Sequence, residues 1–271
     1  MNGTIPDLSV VVLTKNEEAV IGRCMASVPF ASEIVVVDSG SSDRTCAIAA
    51  ELGARVVHEP WTGHFGDQRN RADGHARCGW ILQLDADETV SAELAEELAA
   101  FFALPPAAEC AGARFPRKEL IFGRWIEHGG WYPQYKFRLY RKGAGRWTGR
   151  VHEDFQLHGA TAHTFVHPIL HDSYRDIQTF IEKFNRYSTL DAETAFAAGK
   201  RFSIWKLLFQ PLERFVGRYV VHKGYRDGFH GFVIALLIGM NYLMRYLKLW
   251  EMHYRAENVR DDSRGTSGGT A

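Results

Sequence analysis

Leu82-Gln83-Leu84-Asp85-Ala86-Asp87-Glu88 is the stretch on which the reading of this chain turns. Apolar residues lead in, two carboxylates follow one residue apart, and a third stands beside them. A buried strand that ends in Asp-x-Asp puts both acids at the carboxyl edge of a sheet, where open α/β sheets take their ligands. Two hard oxygen donors at one strand end suit a divalent cation that also holds a diphosphate. The same residues also make turns and helix caps, so the flanking chain has to choose between the two roles.

Upstream, Leu8 to Leu13 reads Leu-Ser-Val-Val-Val-Leu, a continuous apolar run of the kind buried on both faces of a parallel sheet. Ile34-Val35-Val36-Val37 repeats the pattern and ends in Asp38-Ser39-Gly40-Ser41-Ser42-Asp43. Ala54 to His58 predicts a third strand. Helices are expected at Glu18 to Ser27, at Thr45 to Gly53 with Asp43 or Ser42 as cap, and at Asp67 to Arg77. Another runs from Ala92 to Phe102, capped by Ser91 and stopped by Pro105-Pro106. Alternation of this kind implies βαβ units with right-handed crossovers. From Ala113 to Asp154 the texture changes to aromatics, Arg and Gly in short alternating runs, which predicts antiparallel strands beside the parallel core.

The chain has 271 residues, enough for one large α/β domain with an appendage. Its 32 basic and 32 acidic residues balance, so bulk charge selects no partner, and no nucleic-acid motif is present. Cys24, Cys46, Cys78 and Cys110 are dispersed without a Cys-x-x-Cys pair, which fits a reducing compartment and opposes a disulfide framework. Met1 to Asp7 lacks the basic start and apolar core of a signal peptide, so a cytosolic or cytosol-facing protein is expected.

Neither G-x-G-x-x-G nor G-x-x-x-x-G-K follows a strand, which disfavours dinucleotide and P-loop chemistry. A diphosphate here would need neutralising by a metal and by side chains. Thr14, Asn16 and Glu17 stand at the first strand end and Asp38 at the second, a mouth able to accept hydrogen bonds from a ribose or base. Four segments in order resemble the family 2 inverting glycosyltransferases: Val11 to Glu18, Val35 to Thr45, Gly66-Asp67-Gln68-Arg69-Asn70, and Leu82 to Glu88. Val151-His152-Glu153 and Lys223-Gly-x-x-Asp-Gly228 resemble a bacterial branch that builds the lipopolysaccharide core, typified by a β-1,4-glucosyltransferase acting on a heptose.

The resemblance implies an α/β GT-A domain, Rossmann-like and of the nucleotide-diphospho-sugar transferase type, binding a UDP-sugar. It implies nucleotide-sugar contacts from Thr14, Asn16, Glu17, Asp38, Gln68, Arg69 and Asp85. Mg²⁺ or Mn²⁺ would be held by Asp87, with Asp85 as a further ligand or as the residue that orients the sugar. Arg71 is a candidate for the same neutralising task as Arg69, or a helix-surface residue. Inverting transfer needs a base for the acceptor hydroxyl; the lipopolysaccharide branch points to Glu153 and the wider family pattern to Asp154. His163, His167 and His171 recur every fourth residue, but Pro168 opposes a helix there, leaving packing roles or an added metal or phosphate contact from His171. The aromatic segment Trp125, His128, Trp131, Tyr132 and Tyr135 fits either an acceptor-sugar platform or core packing. Alternatives to a lipopolysaccharide acceptor are another polyprenyl- or polysaccharide-linked one, or a nucleotidyltransferase activity.

Beyond residue 172 the pattern is helical and unusually apolar and aromatic, with basic punctuation from Lys200 to Arg226. Arg245 and Lys248 interrupt the apolar run from Phe232. Basic, aromatic amphipathic helices favour the plane of an anionic membrane surface, and a buried helical pair or dimer interface would share the pattern. The expected division is a GT-A domain over 1–172, a helical membrane-associating extension over 173–260 and a disordered tail over 261–271.

Overall fold

The structure, a computed structural model, describes residues 3–104, 106–107, 109–149 and 153–265, with side chains described as far as residue 258. Val151 and His152 of the Val-His-Glu pattern, Pro105 and residues 266–271 lie outside that description. Two compact units emerge: one runs up to Leu120 and includes Tyr132–Ser173, the other joins Ile121–Trp131 to the chain from Tyr174 onward. The 121–131 segment, read from sequence as part of the first domain, therefore clusters with the helices.

In the first unit the strands β1 (Ile5–Thr14), β2 (Ala31–Asp38), β3 (Arg55–His58) and β4 (Trp80–Asp85) are parallel. Between them lie α1 (Ile21–Ala26), α2 (Thr45–Glu51) and α3 (Phe65–Gly74). Then come β5 (Glu88–Val90), α4 (Ala92–Ala103), β6 (Cys110–Ile121) and, after the short β7 (Arg124–Trp125), β8 (Gln134–Arg141). The chain continues through β9 (Gly145–Thr148), β10 (Asp154–Leu157), β11 (Thr161–Thr164) and β12 (Ile169–Tyr174). The main sheet has the order β3-β2-β1-β4-β8-β6-β12-β5, and β9 pairs with β10 in a separate antiparallel ribbon. β8 runs antiparallel to both β4 and β6, as the alternating texture predicted.

The apolar runs are continuous because both faces of the parallel strands are covered. Val10, Val12, Val36, Leu82 and Leu84 enter one core cluster, while Val11, Val35, Val37 and Ile81 enter another. Strand order reverses at β1, which makes the edge beyond its carboxyl end a topological switch point. Register brings the acids to that edge: Thr14 lies opposite Asp38, Leu13 opposite Asp85, and Asp38 opposite His58.

The first helix is shorter than its pattern suggests, and the reason is local. Asn16 turns the backbone into the left-handed region at φ 56°. The Glu17 N–H donates to Thr45 Oγ1 at 2.8 Å and the Glu18 N–H to Asp43 Oδ2 at 3.2 Å, so helical bonding starts only at Ile21. The N-cap of α2 is Arg44, whose side chain makes no capping bond, and not Asp43 or Ser42; Asp43, one residue further out, accepts the Thr45 N–H at 3.0 Å. Ser91 caps α4 through the Leu94 N–H at 3.2 Å.

The second unit holds α5 (Ile177–Ala197), α6 (Ile204–Val216), a π-helical turn, a 3₁₀ turn over Gly224–Asp227, and the long α7 (Gly228–Gly265), which enters the stretch expected as tail. Ile121, Ile126, Phe180, Ile234 and Ile238 form one core here, and Ala192, Ala195, Tyr246 and Leu249 a second. The Lys223-Gly-x-x-Asp-Gly motif is structural: buried Asp227 accepts the His128 N–H at 2.9 Å and meets His128 Nδ1 at 3.1 Å. The other side of the helices is apolar and exposed. Trp205, Leu208, Phe209, Leu212 and Val216 stripe α6, and Phe229, Phe232, Leu236, Met240, Leu243 and Leu247 stripe α7. Among the described residues one helix, within Gly224–Asn258, is long and apolar enough by length and composition to cross a membrane.

Gly231 is where α7 crosses the 3₁₀ turn; a Cβ there would stand 1.9 Å from the Gly224 carbonyl oxygen, with backbone on both sides of the clash. Gly231→Ala is expected to destabilise the helical unit by about 1–3 kcal/mol or more, read as a lowered melting temperature of the full chain.

Candidate active site

Arg69 is nearly fully buried, and its guanidinium gathers the site. Nη2 donates to Asp85 Oδ1 at 2.8 Å and to Glu153 Oε1 at 2.9 Å; Nε reaches the same Glu153 oxygen at 3.2 Å, and Nη1 donates to Gln83 Oε1 at 2.9 Å. The guanidinium also lies over the Trp147 ring, 5.0 Å from its centroid. Three neighbours on α3 explain how Arg69 is aimed. Gly66 permits a close approach to the 148–149 backbone, since a Cβ would sit 2.9 Å from the Gly149 oxygen. Asn70 exchanges two 2.9 Å hydrogen bonds with the Trp147 backbone. Gln68 Nε2 donates to the Glu59 carbonyl at 2.9 Å. The Gly-Asp-Gln-Arg-Asn run thus ties the helix to the end of the ribbon where Thr148 pairs with Asp154, next to Glu153.

Asp85 is gripped from the other side as well. Arg138, on β8, donates from Nη2 to Asp85 Oδ2 at 2.7 Å and to Glu88 Oε1 at 2.7 Å. Burial works against ionisation of Asp85, but the charges of Arg138 and Arg69 outweigh it and hold its carboxyl far below the usual range. Glu88, fully buried, accepts the Asp85 N–H at 3.0 Å and so fixes the turn after β4. Both Asp85 oxygens thus accept from guanidiniums, Oδ1 from Arg69 and Oδ2 from Arg138.

Asp87 faces a different partner. His171 Nε2 lies 3.3 Å from Asp87 Oδ1, and His171 Nδ1 lies 2.7 Å from Glu119 Oε2. Burial alone would lower the His171 pKa; the charge of Asp87, with hydrogen bonds to Asp87 and Glu119, raises it to about 10. As it stands the 3.3 Å contact is an ion pair; donors bonded at about 2.1 Å to one octahedral ion stand about 3 Å apart, so the pair could hold a divalent cation once the imidazole gives up its Nε2 proton. A carboxylate suits Mg²⁺ or Mn²⁺, and an imidazole beside it favours Mn²⁺ of the two.

At the carboxyl end of β2, buried Asp38 accepts the Gly40 and Ser41 N–H groups, each at 3.1 Å, and meets His58 Nδ1 at 3.2 Å. Burial tends to raise its pKa, and the hydrogen bonds from Ser41 and Gly40 lower it overall. Thr14 Oγ1 and Gln68 Oε1 are buried at this edge without a hydrogen-bond partner, a condition native proteins rarely leave unused. Asn16 is turned away into the β2–α2 loop, accepting the Ser42 N–H at 2.8 Å. Glu17 lies nearby with its N–H on Thr45. Asp38, Cys46 and His58 also bring donor atoms within 4.8 Å of one another, a group separate from Asp85 and Asp87.

The geometry separates other pairs that the sequence left level. Glu153 joins Arg69, whereas the Asp154 side chain is exposed on β10. Arg71 is a half-exposed surface residue, 3.7 Å from Glu59. His163 lies on β11 and packs against Phe101 and Phe165, and His167 pairs with Glu97 at 2.9 Å, so only His171 of the three reaches the site. Trp131 packs against Tyr174 and Tyr135 is half exposed. Sequence reasoning did not single out Arg138, Gln83, Glu119 or Arg117. Arg138 shares its strand face with the buried Tyr140, two residues on, and that period was the available signal.

Residues 9–208 match the family model for glycosyl transferase family 2. The lipopolysaccharide core biosynthesis glycosyltransferase LpsC of Rhizobium meliloti is 31% identical over 91% of this chain and 93% of its own. An uncharacterised glycosyltransferase of Rickettsia typhi is 30% identical over 93% of this chain and 89% of its own. Among solved structures, glucosyl-3-phosphoglycerate synthase from Mycobacterium tuberculosis, in complex with Mn²⁺, UDP and glucosyl-3-phosphoglycerate, is 26% identical with a TM-score of 0.34. That likeness covers 43% of this chain and 44% of the synthase, less than half of either. S. aureus TarS gives a TM-score of 0.44 at 16% identity over 85% of this chain and 55% of its own.

Asp73, below the site, accepts from Tyr140 Oη at 2.8 Å and Gln83 Nε2 at 2.8 Å, yet burial pushes its carboxyl up to about 7. A folded-state pKa above the unfolded one gives stability that is full below the unfolded value and is lost as pH rises through the folded one. The wild type should therefore lose stability between about pH 4 and 7 from this group. Asp73→Asn should flatten that slope in denaturant titrations across the interval.

Proposed function

The chain belongs to glycosyltransferase family 2, and on that premise we propose that it moves a sugar, glucose in our reading, from a UDP-sugar to a lipid-linked acceptor such as the lipopolysaccharide inner core, with inversion. Its fold is GT-A-like, a mixed α/β unit followed by long helices. The observation that carries the proposal is that one buried guanidinium, Arg69, holds both Asp85 and Glu153. The acid that orients the donor and the acid that takes the acceptor proton are thereby kept in one place. Similarity to LpsC over nearly the whole chain supports the acceptor class.

In this reading Asp38, Thr14 and Gln68 receive the nucleoside, with Asn16 and Glu17 shaping the loop beside it. Asp87 holds the divalent cation, Mg²⁺ or Mn²⁺. When bound, that ion supplies Lewis-acid stabilisation of the leaving diphosphate oxygens. Arg69 and Arg138 fix Asp85 against the sugar so that C1 faces the acceptor. The acceptor oxygen attacks C1 from the face opposite the diphosphate, its proton passes to Glu153, and the C1–O bond to UDP breaks. Asp154, one residue along, is the alternative base.

The exposed stripe of α6, flanked by exposed Lys200, Arg201, Lys206, Lys223 and Arg226, supports docking on an anionic membrane surface. A cytoplasmic enzyme peripheral on the inner face of the cytoplasmic membrane would meet a lipid-linked acceptor there.

Asp87→Ala is expected to lower UDP release by roughly 100-fold or more and to remove its metal dependence; metal-dependent turnover at the wild-type level would overturn the assignment. Glu153→Gln should keep UDP-sugar affinity while kcat falls by about 10²–10⁴-fold, and if Asp154→Asn does this instead, the base is Asp154. Trp205→Asp with Phe209→Asp should release the full chain from phosphatidylglycerol vesicles in flotation assays, whereas undiminished binding would remove α6 as the anchor.

A further inference from the structure

We propose that Asp38, Cys46 and His58 form a site for a borderline-soft divalent ion such as Zn²⁺, and that an ion held there excludes the nucleoside. The exclusion rests on the reading above in which Asp38 receives the nucleoside; the site itself does not. The three residues come from different elements. Asp38 ends β2, His58 ends β3, and Cys46 lies in the first turn of α2. Strand register sets Asp38 opposite His58. The Asp38 carboxylate accepts the Gly40 and Ser41 N–H groups, which bends the chain directly after β2, and Gly40 takes the bend at φ 100°. The bend lets α2 start beside the strand end, where the Cys46 thiol donates to Asp38.

His58 Nδ1 lies 3.2 Å from Asp38 Oδ2, and the donor atoms of all three residues lie within 4.8 Å of one another. Ligands at about 2.0–2.3 Å from a tetrahedral Zn²⁺ stand roughly 3.3–3.5 Å apart, so only a small closure is needed. The His58 side chain is 73% exposed and is the member free to make it. That open side also leaves room for water as a fourth ligand. A thiolate, an imidazole and a carboxylate select Zn²⁺, whereas Mg²⁺ takes oxygen ligands. Burial and the charge of Asp38 push the Cys46 thiol up, so without an ion the sulfur keeps its proton. On binding, the S–H proton leaves to solvent, and His58 ligates through Nδ1 with its own proton on Nε2. An Asp38 carboxylate bonded to the ion no longer accepts from a ribose or base, so ion and nucleoside compete. The ligands are far apart in sequence, which is why no Cys and His spacing announced them.

The experiment uses Co²⁺ as a coloured stand-in for Zn²⁺, titrated into the full chain with Mg²⁺ in excess. A thiolate-to-cobalt charge-transfer band should appear in the near ultraviolet, vanish in Cys46→Ser and require more Co²⁺ in His58→Ala. UDP should remove the band, whereas ADP, which chelates Co²⁺ in solution equally well, should not. No band in the wild type, or a band that persists in folded Cys46→Ser, overturns the site. A band that UDP leaves intact, or that ADP removes to the same extent, overturns the competition. UDP affinity of metal-free Asp38→Asn separates the two ideas. If that variant binds UDP as the wild type does, the nucleoside reading of Asp38 is at fault and the competition falls with it. If it loses UDP while the wild type shows no band, only the ion site fails.

Discussion

A guanidinium buried at the edge of a parallel sheet is the constraint on which the rest of the site depends. A charge taken out of water is costly unless it is paired and hydrogen-bonded. Arg69 meets that requirement only if α3, the end of β4 and the segment before β10 all arrive together, because its donors go to Gln83, Asp85 and Glu153. The reverse also holds. Asp85 and Glu88 are tolerated at the edge of an apolar core because Arg69 and Arg138 reach them from opposite sides. Removing one partner leaves the others buried and uncompensated, so stability and active-site geometry are set by the same few contacts.

The parallel half of the first unit was legible because its physics is local. Valine-rich runs covered on both faces, acids at their carboxyl ends and capping residues at helix starts are all read from neighbours in sequence. The first helix came out shorter than its pattern because Asn16 could adopt a left-handed conformation and Asp43 and Thr45 could claim the next N–H groups. Those partners lie more than twenty residues away and carry no periodic signal.

The antiparallel half was legible as strands but not as chemistry. Arg117, Glu119 and Arg138 sit in alternating runs where charged residues normally mark the solvent face. Here that face turns inward, and the charges neutralise one another across β6, β8 and β12. The spacing of His163, His167 and His171 suggested a set of three, and strand pairing instead delivers only His171. The helical unit follows a simpler rule: one face of α7 is buried and the other exposed, and the exposed faces of α6 and α7 carry stripes of large apolar side chains.

We propose that this network serves the transfer of a sugar from a uridine diphosphate donor. The most direct test is a screen of UDP-sugars for UDP release, with and without Mn²⁺ or Mg²⁺ and with and without a lipopolysaccharide-core acceptor. Release is expected from one donor, is expected to require the divalent ion, and should rise when acceptor is added. Release indifferent to chelation, or no binding of any UDP-sugar by the folded protein, would contradict it.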